Sequence, residues 1–455
     1  MRLASLVLFS LTLRAAGPFL VEPYLQLGDA RNLQQSETMA LLWQTPDESG
    51  DWAVEVKWSA GKVKTPIWRK TAAPSSRRIA VEGVEPHRVW RATMTGLQPG
   101  MEFEYRVLRG GKPVFDGKGK ARKAANQPFK FVAFGDCGAG TDSEKAIAVL
   151  TLKQNPDFVF IPGDIVYTRG KVTEYREKFW PYYNSEESPL MRTILFIAAP
   201  GNHDTLTRDL SKATDGLAYY YYWAQPLNGP LHSSFAGLEG SDAAKAAFTD
   251  AAADNFPRMS NFSFDYGNSH WLILDTNPYA EWTDPRLRKW IADDLAATKA
   301  TWKFVGFHHP GFSSSKAHRD EQQARVLSDL FEAGGVDVVI AGHVHNYQRS
   351  YPLTFKAENA AFPLKQVNGA WTLDKSFDGE KNTKPKGVIY LVTGAGGADL
   401  YDPNQTDDPS SWLEFTMKFK SNVHSLTSAE IDGRTAKFRQ ISEKGDVLDT
   451  FTITK

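Results

Sequence analysis

The stretch "FIPGDIVYTRG", residues 160–170, is the pattern from which the fold of this chain can be read. An apolar run ends at Gly163, the acidic Asp164 follows at once, and Tyr167 comes three positions later. A short apolar run without alternation is typical of a strand covered on both faces. Glycine allows the backbone to turn sharply after such a strand. We therefore predict a buried strand whose tip presents Asp164 and Tyr167.

The same pattern recurs at four other places, where an apolar run again ends in polar residues. These tips are "GDCG" with Asp136, "GNHD" with Asn202, His203 and Asp204, "HHP" with His308 and His309, and "GHVHNYQRS" with His343 and His345. Binding sites in open α/β sheets form outside the carboxyl ends of the strands. Five tips of this kind predict a dinuclear metal site. His343 and His345 are two positions apart and would share one side if the backbone stayed extended.

The donor types restrict which metals fit. Imidazole and oxygen ligands suit Zn, Mn and Fe, whereas thiolate ligands would indicate a softer metal. Two ions about 3.5–4 Å apart also need a carboxylate between them to offset their repulsion. Cys137 is the only cysteine, which excludes an internal disulfide and a zinc cluster built on several cysteines. We expect Cys137 to be a small buried side chain.

The chain of 455 residues is long enough for at least two domains. Residues 18–122 alternate apolar and polar side chains, as in "WAVEVKW" and "MEFEYRV", which predicts an all-β sandwich. A polar, glycine-containing stretch at 116–128 is the predicted linker. Residues 129–455 alternate apolar strands with helical patterns, so we predict an α/β domain. Its predicted elements include a helix capped by Asp284, a helix over 319–335 closed by Gly334, and a tail of strands that closes a sheet.

Two segments allow two interpretations each. Residues 1–17 combine Arg2, an apolar run and a small-residue end, which is typical of a secretory signal peptide and predicts a secreted or periplasmic protein; the alternative is a frayed strand. Residues 213–260 form a long connection that is either functional or an elaboration of the packing.

The overall charge argues against two classes of partner, nucleic acids and anionic membranes. Lys and Arg together number 53, as do Asp and Glu, so the formal net charge is zero. A zero net charge argues against a broad cationic surface for nucleic acid or for an anionic membrane. After residue 17 no apolar run reaches the roughly 20 residues that a membrane-spanning helix needs.

The motifs resemble those of the calcineurin-like metallophosphoesterases, which follow the order GD, GDxxY, GNH[DE], VxxH and GHxH. Most of that superfamily has DxH as the first motif, but here the third position is Gly138, and Tyr167 is present instead. This exchange marks the purple acid phosphatases. The segments "PYLQLG" and "GLQPGMEFEYRV" resemble their N-terminal fibronectin-III-like domain. The resemblance implies that sandwich followed by an αββα metallophosphoesterase domain.

By position, the resemblance also implies the metal ligands. Asp136, Asp164, Tyr167 and His345 would hold Fe(III), and Asp164, Asn202, His308 and His343 would hold Fe(II), Zn or Mn, with Asp164 bridging. His203 would act at the phosphate, and His318 is a better candidate than His309 for a second such histidine. The implied reaction is acid phosphatase-type hydrolysis of a small phosphate ester, with metal-bound hydroxide as the nucleophile. A phosphodiesterase using the same metals and a non-catalytic adhesion or binding protein are the alternatives.

Overall fold

The computed structural model describes residues 17–33, 35–58, 66–358, 361 and 365–455. All but the last residue of the predicted signal peptide lies outside these residues, so the peptide remains a prediction. The N-terminal strands form two antiparallel sheets, ordered β1-β2-β6-β5 and β4-β3-β7-β8. Their bounds are β1 Val21–Gln26, β2 Glu37–Pro46, β3 Trp52–Lys57, β4 Arg69–Lys70, β5 Ser75–Ile79, β6 His87–Leu97, β7 Glu102–Arg109 and β8 Lys112–Lys120.

The two N-terminal sheets pack face to face through the side chains that the alternation predicted to be buried. Trp43 and Trp90 from one sheet contact Trp52 from the other, with ring centroids 5.7 and 5.8 Å from the Trp52 ring. Large aromatic rings of this kind supply much of the buried apolar area of a small core. The predicted linker was too long, because β8 extends to Lys120 and pairs with β7 along its whole length.

The remaining strands form two larger sheets, ordered β11-β10-β9-β21-β22-β23 and β12-β13-β14-β15-β19-β16-β20, and the hairpin β17-β18. Strands β9, β10 and β11 are parallel, and so are β13, β14, β15 and β19. The bounds are β9 Phe129–Ala133, β10 Phe158–Pro162, β11 Leu195–Ala199, β12 Phe262–Tyr266, β13 Ser269–Ile273, β14 Trp302–Phe307, β15 Val338–Ala341, β16 Tyr347–Ser350, β17 Leu353–Ala357, β18 Gly369–Leu373, β19 Ile389–Thr393, β20 Thr416–Lys420, β21 Ser425–Asp432, β22 Thr435–Ser442 and β23 Val447–Thr454.

The helices are mostly short. They are α1 Asp142–Gln154, α2 Val172–Lys178, α3 Trp180–Tyr183, α4 Leu190–Thr193, α5 Asn202–Thr205, α6 Tyr219–Tyr222, α7 Asp242–Ala252, α8 Pro285–Ala297 and α9 Ser328–Ala333. Turns of 3-10 helix span Ser233–Phe235, Ala253–Asn255, Arg258–Ser260, Gln323–Leu327, Pro403–Asp407 and Pro409–Ser411.

Two helix predictions have different outcomes. The Asp284 cap is confirmed, since its carboxylate accepts a hydrogen bond from the amide of Arg286 at 2.7 Å. The helix predicted over 319–335 was wrong in its first half. Residues up to 322 form a loop, and a 3-10 turn then leads into α9, which ends at Gly334. The apolar pattern of this segment reflects the burial of its side chains and not a continuous helix. The loop places Glu321 against two histidines, as described below.

The two large sheets pack against each other in the middle of the C-terminal region. Phe131 and Phe158 of one sheet contact Trp271 of the other, with ring centroids 5.0 and 5.3 Å apart. Helices such as α1 and α8 cover the outer faces through separate apolar clusters. The layers are therefore helix, sheet, sheet and helix, and the strands are buried on both faces as their apolar runs predicted. The tail strands β21–β23 close the first sheet, as expected, because β21 pairs with β9.

The long connection at 213–260 lies between the N-terminal sandwich and the C-terminal layers. Its "YYYYW" stretch, residues 219–223, is fully buried against strands β1, β2 and β6 of the sandwich. The Tyr24 hydroxyl donates to the carbonyl oxygen of Tyr222 at 2.8 Å, and a ring nitrogen of His87 lies 2.9 Å from the Tyr222 hydroxyl. Of the two interpretations of this segment, the contacts favour packing. Among the described residues, no helix combines the length and the apolar character needed to cross a membrane.

Candidate metal centre

Polar side chains meet where parallel strands of both large sheets end. Asp136 follows β9, Asp164 and Tyr167 follow β10, Asn202 begins α5 after β11, His308 follows β14, and His343 and His345 follow β15. The two sheets are packed face to face, so these loops lie at one edge of the double layer. This is the edge at which open α/β sheets place their ligands.

The turns into this edge bring the backbones very close together. A Cβ added to Gly163, whose φ is +84°, would lie 2.4 Å from Nδ1 of His308. Asp136, Asp164 and His343 themselves have positive φ values of 59°, 49° and 68°. Such a conformation costs a non-glycine residue about 1–2 kcal/mol and is frequent at functional sites. Hydrogen bonds offset the cost, since Oδ2 of Asp136 accepts from the His343 amide and Oδ1 of Asp164 from the His203 amide, both at 2.9 Å.

One group of donors contains Asp136, Tyr167 and His345. The Tyr167 hydroxyl lies 3.2 Å from Oδ1 of Asp136 and 2.9 Å from Nε2 of His345. His345 Nε2 is also 3.5 Å from the same Asp136 oxygen. Burial, together with the charges of Asp136 and Asp164, holds the pKa of Tyr167 well above its ordinary value. A bound cation would reverse this preference, because it stabilises the phenolate.

A second group contains Asp164, Asn202, His308 and His343. Nε2 of His308 and Nδ1 of His343 each lie 2.9 Å from Oδ1 of Asn202. Nε2 of His308 is also 3.2 Å from Oδ1 of Asp164. Potential ligand atoms of Asp164, His308 and His343 all lie within 4.8 Å of one another. These side chains are buried, with exposures of 0–8% for the three.

In each of His308, His343 and His345, one ring nitrogen faces the other donors and the second faces away from them. The hydrogen bond of the nitrogen that faces away determines whether the other one carries a lone pair. Nδ1 of His308 donates to the carbonyl oxygen of Pro162 at 2.8 Å, and Nδ1 of His345 donates to that of Asp399 at 2.5 Å. Nε2 of His343 donates to Oε2 of Glu321 at 2.8 Å. In a neutral ring the opposite nitrogen then carries a lone pair.

At His308 and His343 that lone pair faces Oδ1 of Asn202, which is itself an acceptor, whereas at His345 it faces the Tyr167 hydroxyl, which can donate to it. Two lone pairs 2.9 Å apart repel unless a cation lies between them, so the donor set fits metal binding. A proton is the simplest such cation. Burial opposes it at His308, but the charge of Asp164 and its hydrogen bond raise the pKa of His308 to about 9. Metal ions would compete with that proton.

The charge of Asp164 shifts pKa values in both groups of donors. Its charge acts on Tyr167 and His345 in the first group and on His308 in the second. Burial opposes ionisation of Asp164, but His308 outweighs it and holds its pKa well below the ordinary value. This direction of the Asp164 pKa favours the ionised carboxylate.

His343 and His345 do not share one side, contrary to the expectation for an extended backbone. Residue 343 has left-handed φ, and the loop bends before β16 begins. His343 consequently faces Asn202, whereas His345 faces Tyr167. The bend lets two neighbouring histidines serve two different groups.

The two histidines predicted to act on a substrate lie at the edge of these groups. The side chain of His203 is 32% exposed, its Nδ1 donates to the carbonyl oxygen of Thr168 at 2.7 Å, and its Nε2 lies 3.8 Å from Oδ2 of Asp164. His318 is 23% exposed, and its ring lies 4.3 Å from that of His343. His309, the other candidate, is 2% exposed and packs against His308 and His343.

Three residues of the site were not given a role by the sequence. Asp204 is buried and accepts hydrogen bonds from the amides of Ile165 and Gly201, which ties two of the loops together. Burial and the nearby Asp164 raise the pKa of Asp204 to about 7. The ring of Tyr401 stacks on His345 at 4.0 Å. Glu321 accepts from His343 and lies beside His318. For Asp204 the motif "GNHD" was a signal, but Tyr401 and Glu321 have no distinctive spacing.

Comparison with known proteins agrees with this geometry. A family model described as calcineurin-like phosphoesterase matches residues 129–347. Purple acid phosphatase 21 of Arabidopsis thaliana is 26% identical over 275 residues, which are 59% of this chain and 54% of the relative. Probable inactive purple acid phosphatase 1 of the same plant is 24% identical over 409 residues, or 82% and 58% of the two chains. The chain thus matches little more than half the length of these relatives.

A solved structure shows the same fold. The purple acid phosphatase PPD1 from yellow lupin superposes with a TM-score of 0.67 at 18% identity, covering 96% of this chain and 75% of the lupin protein. The structure of PhoD gives a TM-score of 0.54 at 13% identity and covers 96% and 94% of the two chains. Residues 129–347 therefore match the calcineurin-like phosphoesterase family, and the chain is similar in sequence and in fold to purple acid phosphatases.

Proposed function

We propose that this chain is a metal-dependent acid phosphatase that hydrolyses small phosphate monoesters. The observation that carries the proposal is made at Asn202. There the lone pairs of two histidine nitrogens, Nε2 of His308 and Nδ1 of His343, each face Oδ1 at 2.9 Å. A metal ion among these three atoms would be coordinated by all of them. The family of the chain implies a dinuclear metal centre.

Seven side chains would hold the two ions. Asp136, Tyr167 and His345 would bind the first, Asn202, His308 and His343 the second, and Asp164 both. A phenolate and two carboxylates suit a trivalent first ion, so we assign Fe(III) there and Fe(II), Zn or Mn to the second site. Such a pair neutralises the charge of a phosphate ester and makes water acidic enough to react near neutral pH.

His203 and His318 would act on the substrate itself. Since Nδ1 of His203 donates to Thr168, its Nε2 is free to face a phosphate oxygen or the leaving group. His318 lies on the other side, against His343. With both ring nitrogens protonated, either imidazolium would stabilise the developing charge and transfer its Nε2 proton to the leaving oxygen. The partial exposure of both rings supports this role, because a ligand can reach them.

The remaining assignments belong to the same proposal. We assign residues 18–122 to a fibronectin-III-like sandwich and 129–455 to the catalytic domain, and residues 1–17 to a signal peptide of a secreted or periplasmic protein. The two packed antiparallel sheets of the N-terminal region support the first assignment.

A non-catalytic protein is the competing interpretation, because three matched relatives are named probable inactive purple acid phosphatases. The side chains at all seven proposed ligand positions can bind a metal, which favours the active enzyme. A phosphodiesterase using the same ions would differ in its substrate.

The test is metal analysis of the purified protein, followed by assays with aryl and alkyl phosphate monoesters and an aryl phosphate diester from acid to neutral pH. We expect two ions per chain and faster turnover of monoesters. The Asp164→Ala variant should lose both ions and nearly all turnover. Two bound ions without turnover of any ester would favour the non-catalytic protein, and preference for the diester would favour the phosphodiesterase.

A further inference from the structure

The carboxylate of Glu321 contacts two histidines at once. Its Oε2 accepts from Nε2 of His343 at 2.8 Å, and its Oε1 lies 3.2 Å from Nδ1 of His318. His343 is a proposed ligand of the second ion, and His318 is a proposed proton donor. One carboxylate therefore contacts two histidines that have different proposed functions.

The loop that carries Glu321 is built to hold it there. The amide of Arg319 donates to the carbonyl oxygen of Ser315 at 2.9 Å, and that of Glu321 donates to the carbonyl oxygen of His318 at 3.0 Å. The Ser315 hydroxyl in turn donates to Asp402 at 2.5 Å. These bonds form a tight turn that places the Glu321 carboxylate against His343.

A carboxylate suits both contacts better than any neutral group. Each imidazole donates through the nitrogen that faces Glu321, and an ionised carboxylate offers an acceptor oxygen to each. For His343 the bond fixes the tautomer whose Nδ1 faces Asn202, and for His318 it leaves Nε2 to meet a substrate.

We propose that Glu321 is a positioning residue that couples the binding of the second metal ion to the orientation of His318. The inference rests on the proposed function, because it assigns His343 to a metal and His318 to the leaving group. Replacement of an outer carboxylate of this kind typically lowers metal affinity 10–100-fold. Both effects should therefore appear in one variant.

The first test measures metal binding without any assay of activity. In Glu321→Gln a single amide oxygen replaces two acceptors, so only one imidazole keeps its partner. We expect the affinity of the second ion, measured by zinc titration against a chelator, to fall about 10–100-fold, while the first ion is retained. Asp320→Asn is the matched control, because it removes the same charge from an exposed neighbour and should bind like the wild type.

The second test separates the two roles of the carboxylate. At saturating metal, Glu321→Gln should slow hydrolysis of an alkyl phosphate about tenfold more than that of 4-nitrophenyl phosphate, whose leaving group needs no proton. In a His318→Ala background this difference should vanish, while the loss of zinc affinity should persist. Urea unfolding of the metal-free variants would verify that the fold is intact.

Several results would overturn the inference. Wild-type zinc affinity in Glu321→Gln would show that Glu321 does not position His343, and equal slowing of both substrates would show that it does not position His318; either result refutes the coupling. A third ion per wild-type chain would make Glu321 a ligand, since potential ligand atoms of His309, Glu321 and His343 all lie within 4.8 Å of one another. A wild type that binds two ions while the variant is unaffected refutes only this inference, whereas a wild type that binds none refutes the proposed function as well.

Discussion

Single atoms decide the chemistry of this edge of the molecule. Tyr167 shows this most clearly, because its hydroxyl oxygen alone reaches both Asp136 and His345. The rest of the ring packs 4.5 Å from His203. Removing the oxygen while keeping the ring therefore separates ligand binding from packing.

We expect Tyr167→Phe to lose visible colour and to weaken retention of the first ion. In the wild type, charge transfer from a phenolate into Fe(III) would absorb visible light, and neither histidine nor carboxylate ligands supply that absorption. The second ion should stay, because Asn202, His308 and His343 are unchanged. Absorption spectra and metal content measure both effects. A variant that keeps its colour, or a colourless wild type with one ferric ion per chain, would refute the role of Tyr167.

A second prediction concerns the close approach of the backbone at Gly163. We expect Gly163→Ala to lower the free energy of unfolding by about 2–5 kcal/mol, because it adds overpacking to left-handed strain. The new methyl group would also displace His308, so the second ion should bind more weakly. Urea denaturation and zinc titration would measure the two losses.

Gly433 is the matched control for that substitution. It too has a positive φ, +52°, but nothing lies within 4 Å of its added Cβ. Gly433→Ala should therefore cost only about 1 kcal/mol and leave zinc binding unchanged. Equal losses in the two variants would mean that strain alone, and not the contact with His308, determines the effect.

At the scale of elements, the segment 213–260 connects the sandwich to the C-terminal layers. Arg77 of β5 is its most connected partner from the sandwich. Nη1 donates to the carbonyl oxygens of Ala251 and Ala252 at 2.7 and 2.9 Å, and Nη2 donates to that of Tyr221 at 2.8 Å. One guanidinium thus satisfies carbonyl groups at the ends of both α6 and α7.

Arg77→Met should lower the free energy of unfolding by about 2–4 kcal/mol. The substitution keeps much of the apolar stem but leaves several carbonyl groups without a donor, each costing about 1–3 kcal/mol before relaxation. Urea denaturation followed by tryptophan fluorescence is the measurement.

The neighbouring Arg78 is the control, because it pairs with Asp47 at the surface, where its side chain is 51% exposed. Arg78→Met should therefore cost less than about 1 kcal/mol. If both variants lost the same stability, the contacts of Arg77 would not be what holds the segment in place.

At the scale of the whole molecule, the junction between the sandwich and the C-terminal layers contains a buried histidine. His87 is fully buried between Glu85 and Tyr222, and Arg176 lies 3.3 Å away. Burial lowers the pKa of His87 from 6.5 to about 4. The unfolded chain therefore takes up this proton at a higher pH than the folded chain does.

The stability of the molecule should consequently fall as the pH drops from about 6.5 to about 4, with His87 contributing of the order of 3 kcal/mol to the loss. Above pH 6.5 its contribution should be constant. In His87→Gln, which cannot titrate, the free energy of unfolding should depend less steeply on pH across this window. Urea denaturation at several pH values tests the difference, and identical slopes for the two proteins would contradict it.

Local patterns predicted much of this architecture. The apolar runs of β9, β10, β14 and β15 indicated strands buried on both faces, and the polar residues after them indicated where a site would form. Burial and turn chemistry act over a few residues, so a sequence expresses them directly. The Asp284 cap was predicted for the same reason.

The sequence alone therefore determined the layered strands, the donor types and the order in which the donors follow one another. Only the tertiary structure decided that His343 and His345 face different groups and that Glu321 contacts both His343 and His318. It also decided that the 213–260 segment buries its tyrosines against the sandwich. These outcomes depend on backbone turns and on contacts between residues far apart in the chain. Neither has a local pattern, because the energy of each contact exists only after both partners have been brought together.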